Sequence, residues 1–195
     1  MIQKASLNEE LFLVLLLKGD VLKYSKSIQG IIAKHYDIYE DGIYPELHIT
    51  LDRIKKHRLS DAIQVIEKVL KETEFNNVNI ELDKFVCFGN EEKFLVLKIK
   101  ETHSLTKFSN GLHKALSKEG ISVIKSYQDW AFHITVLSNI FAQNPITDFD
   151  FESLCFFLEG KEKNYQSSSD RLEIWSATID STNKCLASFQ IKSHR

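Results

Sequence analysis

The chain carries only two prolines and seven glycines in 195 residues. That is too few for a collagen-like or disordered chain, and it favours long regular elements. Charge of one sign is missing too: 25 Lys and Arg stand against 27 Asp and Glu, a formal net charge of −2. This balance excludes a strongly basic protein that coats nucleic acid, while leaving room for a locally positive site. The longest apolar run, Leu11 to Leu17, falls far short of the ~20 residues that span a bilayer. It also lacks the basic lead-in and small-residue cleavage site of a secretory leader. Cysteine is scarce: Cys87, Cys155 and Cys185 are odd in number and have no metal-motif spacing. They read as free thiols in a reducing compartment. Together these absences predict a soluble, cytoplasmic protein with no membrane association.

What is present is ordinary for a globular chain, at 43% hydrophobic and 27% charged residues. The length suits a single domain over 1–195, made of two intertwined lobes around a shared core. Leu11 to Leu17 reads as a buried strand. From Asp20, a plausible N-cap, apolar residues recur at helical spacing (Val21, Tyr24, Ile28, Ile31, Ile32) toward Tyr39. Ile43 to Asp52 alternates, with Leu47, Ile49 and Leu51 on one side and His48, Thr50 and Asp52 on the other.

A second helix is predicted from Ser60 to Asn76-Asn77, with Ile63, Ile66, Val69 and Leu70 turned inward. A strand through Val78, Ile80 and Leu82 follows, joined across Gly89-Asn90-Glu91-Glu92 to Phe94–Ile99 as a hairpin. Leu105, Phe108, Leu112 and Leu116 mark a helix that Gly120 ends. Trp130 to Leu137 alternates again, with Trp130 on the core side. Asp148 to Leu158 forms a Phe-rich helix, and Gly160 to Asp170 a polar, Ser-rich surface loop. Arg171–Ile179 and Lys184–Ile191 close the chain as a pair of strands.

The order strand, helix, strand bearing His-Ile-Thr occurs from Leu11 to Leu51 and recurs from Phe94 to Val136. The separations from strand start to histidine differ by two residues in the two copies. Such a duplication implies two lobes related by a pseudo-twofold axis. Residues two apart on a strand share a face, so each histidine stands beside its own threonine: His48 with Thr50, and His133 with Thr135. A lone histidine on a strand is ordinarily structural. Two identical triplets at matched positions of a repeat point to a shared cleft. Imidazole, with an unperturbed pKa of about 6.5, can act as base in one copy and acid in the other. A threonine hydroxyl can donate to a phosphate oxygen as charge develops. Zinc is a poor alternative, because neither pair has another His or carboxylate at zinc-motif spacing.

The two segments His48-Ile-Thr-Leu51 and His133-Ile-Thr-Val136 resemble the paired motifs of the 2H phosphoesterases, the superfamily of 2'-5' RNA ligases and cyclic phosphodiesterases. The resemblance implies an α+β, bilobal fold: two pseudo-symmetric lobes whose antiparallel sheets line a central cleft, with helices outside. It implies metal-independent action on 2',3'-cyclic phosphates, 2'-5' phosphodiester bonds or 1'',2''-cyclic phosphates, without a cofactor. It assigns catalysis to His48, Thr50, His133 and Thr135. Many ligase-like members carry an arginine shortly after the second motif. This chain has Leu137-Ser138-Asn139 there, and Arg53 follows the first motif instead.

Arg53, Lys55, Lys56 and Arg58 form the densest basic cluster. Each reads as either a solvated turn or a phosphate-collecting lip. Arg53, nearest His48, is the expected phosphate binder, followed by Lys125. Tyr44 and Tyr127 are the expected base-stacking platforms. The expected partner is a nucleotide or RNA end, not duplex DNA, met by a monomer. Two other readings share these residues: a nucleotide-binding module without turnover, and a defence-related enzyme degrading 2'-5' oligoadenylate or cyclic nucleotide signals.

Overall fold

The computed structural model describes residues 5–40, 43–72, 77–89 and 92–191. The expected helix end at Asn76 and the centre of the hairpin turn, Asn90-Glu91, lie outside them. The strands are β1 (Glu10–Leu16), β2 (His48–Lys55), β3 (Val78–Gly89), β4 (Lys93–Ile99), β5 (His133–Ser138), β6 (Gln166–Ser169), β7 (Arg171–Trp175) and β8 (Cys185–Gln190). They form one curled sheet in the order β6-β3-β4-β5-β2-β1-β7-β8, and every neighbouring pair is antiparallel. Helices α1 (Gly19–His35), α2 (Leu59–Glu72), α3 (His103–Lys118) and α4 (Asp148–Leu158) lie outside it, and a single turn, α5 (Ser181–Lys184), leads into β8. This is the α+β, two-lobed arrangement expected, with the two lobes' sheets fused into one. Among the described residues no helix is long and apolar enough to cross a membrane.

The repeat is visible at the level of single residues. In the first lobe Phe12, Leu13, Val14 and Leu15 face Arg53, Asp52, Thr50 and Ile49. In the second, Phe94, Leu95, Val96 and Leu97 face Ser138, Leu137, Thr135 and Ile134. Phe12 therefore matches Phe94, one residue on from the Leu11–Phe94 correspondence read from sequence. The halves meet where Ile49 of β2 pairs with Ile134 of β5. Burial alternates identically after each histidine: His and Thr half-buried, the intervening Ile fully buried. The apolar side of each motif thus holds its strand against the helices and leaves the polar side for the cleft.

Both motif strands contain a β-bulge at the same place. Two residues of β1 oppose three of β2 around Leu51, and two of β4 oppose three of β5 around Val136. A bulge resets the alternation, so the residue five beyond each histidine returns to the cleft side. In β2 that residue is Arg53 and in β5 it is Ser138. The freed backbone groups find partners. Trp130 Nε1 donates to Thr50 O at 3.1 Å, the Tyr127 hydroxyl to Leu51 O at 2.9 Å, and Arg53 N to Asp52 Oδ1 at 2.7 Å. On the other lobe the Tyr39 hydroxyl donates to Ser138 O at 2.9 Å and accepts from Ser138 N at 3.0 Å.

Several sequence expectations need correction. β2 begins at His48 and not at Ile43. Pro45 has no N–H to give a ladder, and its carbonyl accepts instead from Gln29 Nε2 at 2.9 Å. Trp130 stands before β5, beside the cleft and not in the core. Part of the Ser-rich loop is strand β6, an edge strand paired with β3. It has no apolar alternation to announce it, because an edge strand can be held by backbone bonds alone. Cys87 on β3 and Cys155 on α4 form a disulfide, and Cys185 alone is a free, exposed thiol. The thiol count therefore supplies no argument for a reducing compartment. The α3 expectation agrees with the structure: Leu105, Phe108, Leu112 and Leu116 are buried, Thr102 Oγ1 caps the start by accepting from Leu105 N, and Gly120 follows the end at φ +64°.

Two outcomes follow from this framework. Tyr39→Phe leaves two buried backbone groups of Ser138 without their partner and should lower the unfolding free energy by about 1–3 kcal/mol in urea denaturation. The Cys87–Cys155 link closes a 68-residue separation. Replacing both cysteines with serine should cost about 2–4 kcal/mol by the same measurement.

Candidate active site

The two motif strands run antiparallel at the centre of the sheet. With Ile49 opposite Ile134, His48 stands across from Thr135 and Thr50 across from His133. All four side chains line one cavity of about 1260 Å³. That volume exceeds the roughly 300–1,000 Å³ of pockets for drug-sized ligands.

The two histidines are held alike. His48 Nδ1 lies 2.8 Å from Glu46 O, and His133 Nδ1 lies 2.9 Å from Ala131 O. A carbonyl only accepts, so in both rings Nδ1 carries the hydrogen. Nε2 is then the basic nitrogen of each neutral ring. Burial pushes the His48 pKa down from 6.5 to about 4, opposed by the bond to Glu46 O and helped by the positive charges of Lys184 and His133. Burial also lowers His133, against the bond to Ala131 O.

Aromatic side chains extend the cleft on both lobes. Phe12 and Phe94 occupy matched positions, as do their strand neighbours Trp175 and Phe88; all four line the cavity, together with Trp130. The Trp175 ring meets His48 edge-on, with centroids 4.8 Å apart. Two cations line the cavity among the described residues, Arg53 and Lys184. Arg53 is buried, 3.2 Å from Glu10 Oε2 and 5.8 Å from the Trp130 ring centroid. Asp52, on the far side of the bulge, accepts from His113 Nδ1 and from Ser122 as well as from Arg53 N. The helix layer thereby sets the backbone from which Arg53 projects.

The structure thus brings His48, Thr50, His133, Thr135 and Arg53 into one cavity. The other three residues singled out from sequence lie elsewhere. Tyr44 packs its ring against Tyr39, and Lys125 is exposed, neither on the cavity wall. Tyr127 faces the helices, stacked on His113 at 3.8 Å. Of the basic cluster only Arg53 reaches the cavity, and Arg58 pairs with Asp61. Sequence reasoning missed Trp175, Lys184 and Ser138. No motif marks Trp175 or Lys184, and β7 and α5 become neighbours of His48 only in the folded sheet. Ser138 was legible as the residue in place of an expected arginine. Among the described residues no group of three or more His, Cys, Asp or Glu is arranged to hold a metal ion.

Solved structures share this fold. A Thermus thermophilus protein, TT0787, is similar at TM-score 0.64 and 12% identity, over 95% of this chain and 100% of that one. E. coli LigT complexed with 3'-AMP is similar at TM-score 0.58 and 14% identity, over 94% and 98%. The MHV ns2 PDE domain is similar at TM-score 0.53 and 13% identity, over 82% and 86%. At such identities the likeness is one of fold. No curated protein matches the sequence.

Fold and paired motifs define a two-histidine phosphoesterase scaffold. A family model described as the 2'-5' RNA ligase superfamily matches residues 32–145, a stretch that holds both motifs. The chain belongs to that superfamily, whose members support phosphodiesterase- or ligase-type activity.

The depressed histidine pKa values set a pH dependence. Between pH 6.5 and about 4 an unfolded chain protonates His48 while the folded one resists. Folding stability is therefore complete above about pH 6.5 and declines as pH falls through that window. NMR titration should find His48 neutral at pH 7, protonated at Nδ1, with a midpoint near 4. His48→Gln should flatten the acid-side loss of stability.

Proposed function

We propose that the chain is a metal-independent phosphodiesterase that opens 2',3'-cyclic phosphates or cleaves 2'-5' phosphodiester bonds of RNA-derived nucleotides. The observation that carries this reading is the Ile49–Ile134 pairing, which puts both histidines and both threonines on the wall of one cavity. A phosphodiester there would lie between two Nε2 atoms, with a hydroxyl from each lobe to donate to its non-bridging oxygens.

In the hydrolytic direction one imidazole takes a proton from water as the water oxygen bonds to phosphorus. The phosphorus–ribose oxygen bond breaks, and the other imidazolium protonates the departing oxygen. His48 is assigned the base role, since the Lys184 charge and burial hold it neutral. His133, whose pKa that cation does not depress, is assigned the acid role, gaining its proton as the anionic substrate enters. Arg53 supplies positive charge beside the phosphate. The aromatic walls suit nucleobases, each stack being worth about 1–3 kcal/mol. The substrate would be a small nucleotide or an RNA end, not a duplex.

The test is incubation, with EDTA present, with 2',3'-cyclic mononucleotides, RNA ending in a cyclic phosphate, and 2'-5' oligoadenylates. His48→Ala and His133→Ala run alongside. Turnover should survive chelation and fall by about 10²–10⁴-fold in each variant. Nucleotide binding without turnover on any substrate would overturn the catalytic reading in favour of a binding module.

A further inference from the structure

The cleft is symmetric in shape but not in charge. Arg53 of the first lobe has Ser138 as its register mate in the second. The other cation on the wall, Lys184, also belongs to the first lobe. It comes from α5 between β7 and β8, the strands that complete that lobe's half of the sheet.

Lys184 is buried, with its side chain 9% exposed. Its ammonium lies 4.2 Å from the Trp175 ring centroid and 3.4 Å from Glu46 Oε2. Glu46 itself is exposed. An ammonium has three donors; here one faces a long, solvent-screened carboxylate contact and another the indole, which leaves one for the cleft. Keeping a lysine buried costs desolvation that a single exposed carboxylate recovers poorly. An anion arriving from the cleft would supply the missing partner. Trp175 touches both Lys184 and His48, so the cation sits one aromatic side chain away from the reacting centre. That is the wrong place for the scissile phosphate and a suitable one for another phosphate on the same nucleotide.

We propose that Lys184 and the face of Trp175 form a subsite for a second, non-scissile phosphate, so that the preferred substrate is a nucleotide end bearing an additional phosphate, oriented with that phosphate on the His48 lobe. This rests on the phosphodiesterase reading for the position of the scissile group. The large cavity accommodates the longer ligand, and the absence of a matching cation among the described lining residues of the other lobe fixes the direction of binding.

Both tryptophans of the chain, Trp130 and Trp175, line the cleft, so intrinsic fluorescence reports on its occupancy. Titration with adenosine 2',5'-bisphosphate and 3',5'-bisphosphate, each against the matching 2'- or 3'-monophosphate, measures the preference. One bisphosphate should bind wild type about ten- to a hundredfold more tightly than its monophosphate, the range for a hydrogen bond to a charged group. In Lys184→Met the ratio should collapse toward unity, while Lys184→Arg should retain it; thermal melts verify that both variants fold. Equal affinities in wild type, or a preference that survives in Lys184→Met, would overturn the subsite. The wild-type ratio decides even if the methionine variant does not fold. A protein that turns over cyclic phosphates without this preference loses only the subsite. One that shows the preference but never turns over substrate loses only the catalytic reading.

Discussion

The pairing of Ile49 with Ile134 across the pseudo-twofold axis is the contact on which the site depends. Both isoleucines are fully buried, and an antiparallel register has period two. A slip of either strand by one residue would turn its histidine and threonine into the core and its isoleucine into the cleft. Burial of the apolar side therefore fixes the polar side. The geometry of the four polar groups is a by-product of hydrophobic packing beneath them, which keeps it rigid.

The second constraint is the bulge that each motif strand carries just beyond its threonine. Uninterrupted alternation would send Arg53 into the helix layer, where a guanidinium would lack water. The extra residue returns it to the cleft. An indole and a phenol from a distant segment, and the carboxylate of the neighbouring Asp52, satisfy the backbone around it. The second lobe solves the same problem with one tyrosine hydroxyl. A repeated backbone device with different anchors lets the lobes diverge in the residue presented there, an arginine in one and a serine in the other.

Electrostatics then separates two near-equivalent histidines. Their local bonds match, to a carbonyl two residues earlier in each case. What differs is the cation set around them, since Arg53 stands where the second lobe has Ser138, and β7, β8 and α5 join the first lobe alone. The asymmetry that a directional reaction needs comes from Arg53 against Ser138 within the repeat and from Lys184 in the part of the chain outside it.

Much of this was legible from residue order. The two His-Ile-Thr triplets, the strand-helix-strand repeat and the helical spacing through Leu116 are local patterns, and local periodicity survives folding because each element buries one face. The α+β class and four polar residues of the cleft followed from them, and Arg53 followed from closeness to His48. Contacts between segments remote in sequence were not legible: the Cys87–Cys155 link, the serine edge strand β6, Trp130 beside the cleft, and Lys184 and Trp175 beside His48. Tyr127 shows the limit most clearly, since its nearness to the second motif says nothing about the side of the sheet its ring takes. The sequence by itself determined which residues share a face. Only the tertiary structure decided which faces meet, because strand order and bulges are set by packing across the whole sheet.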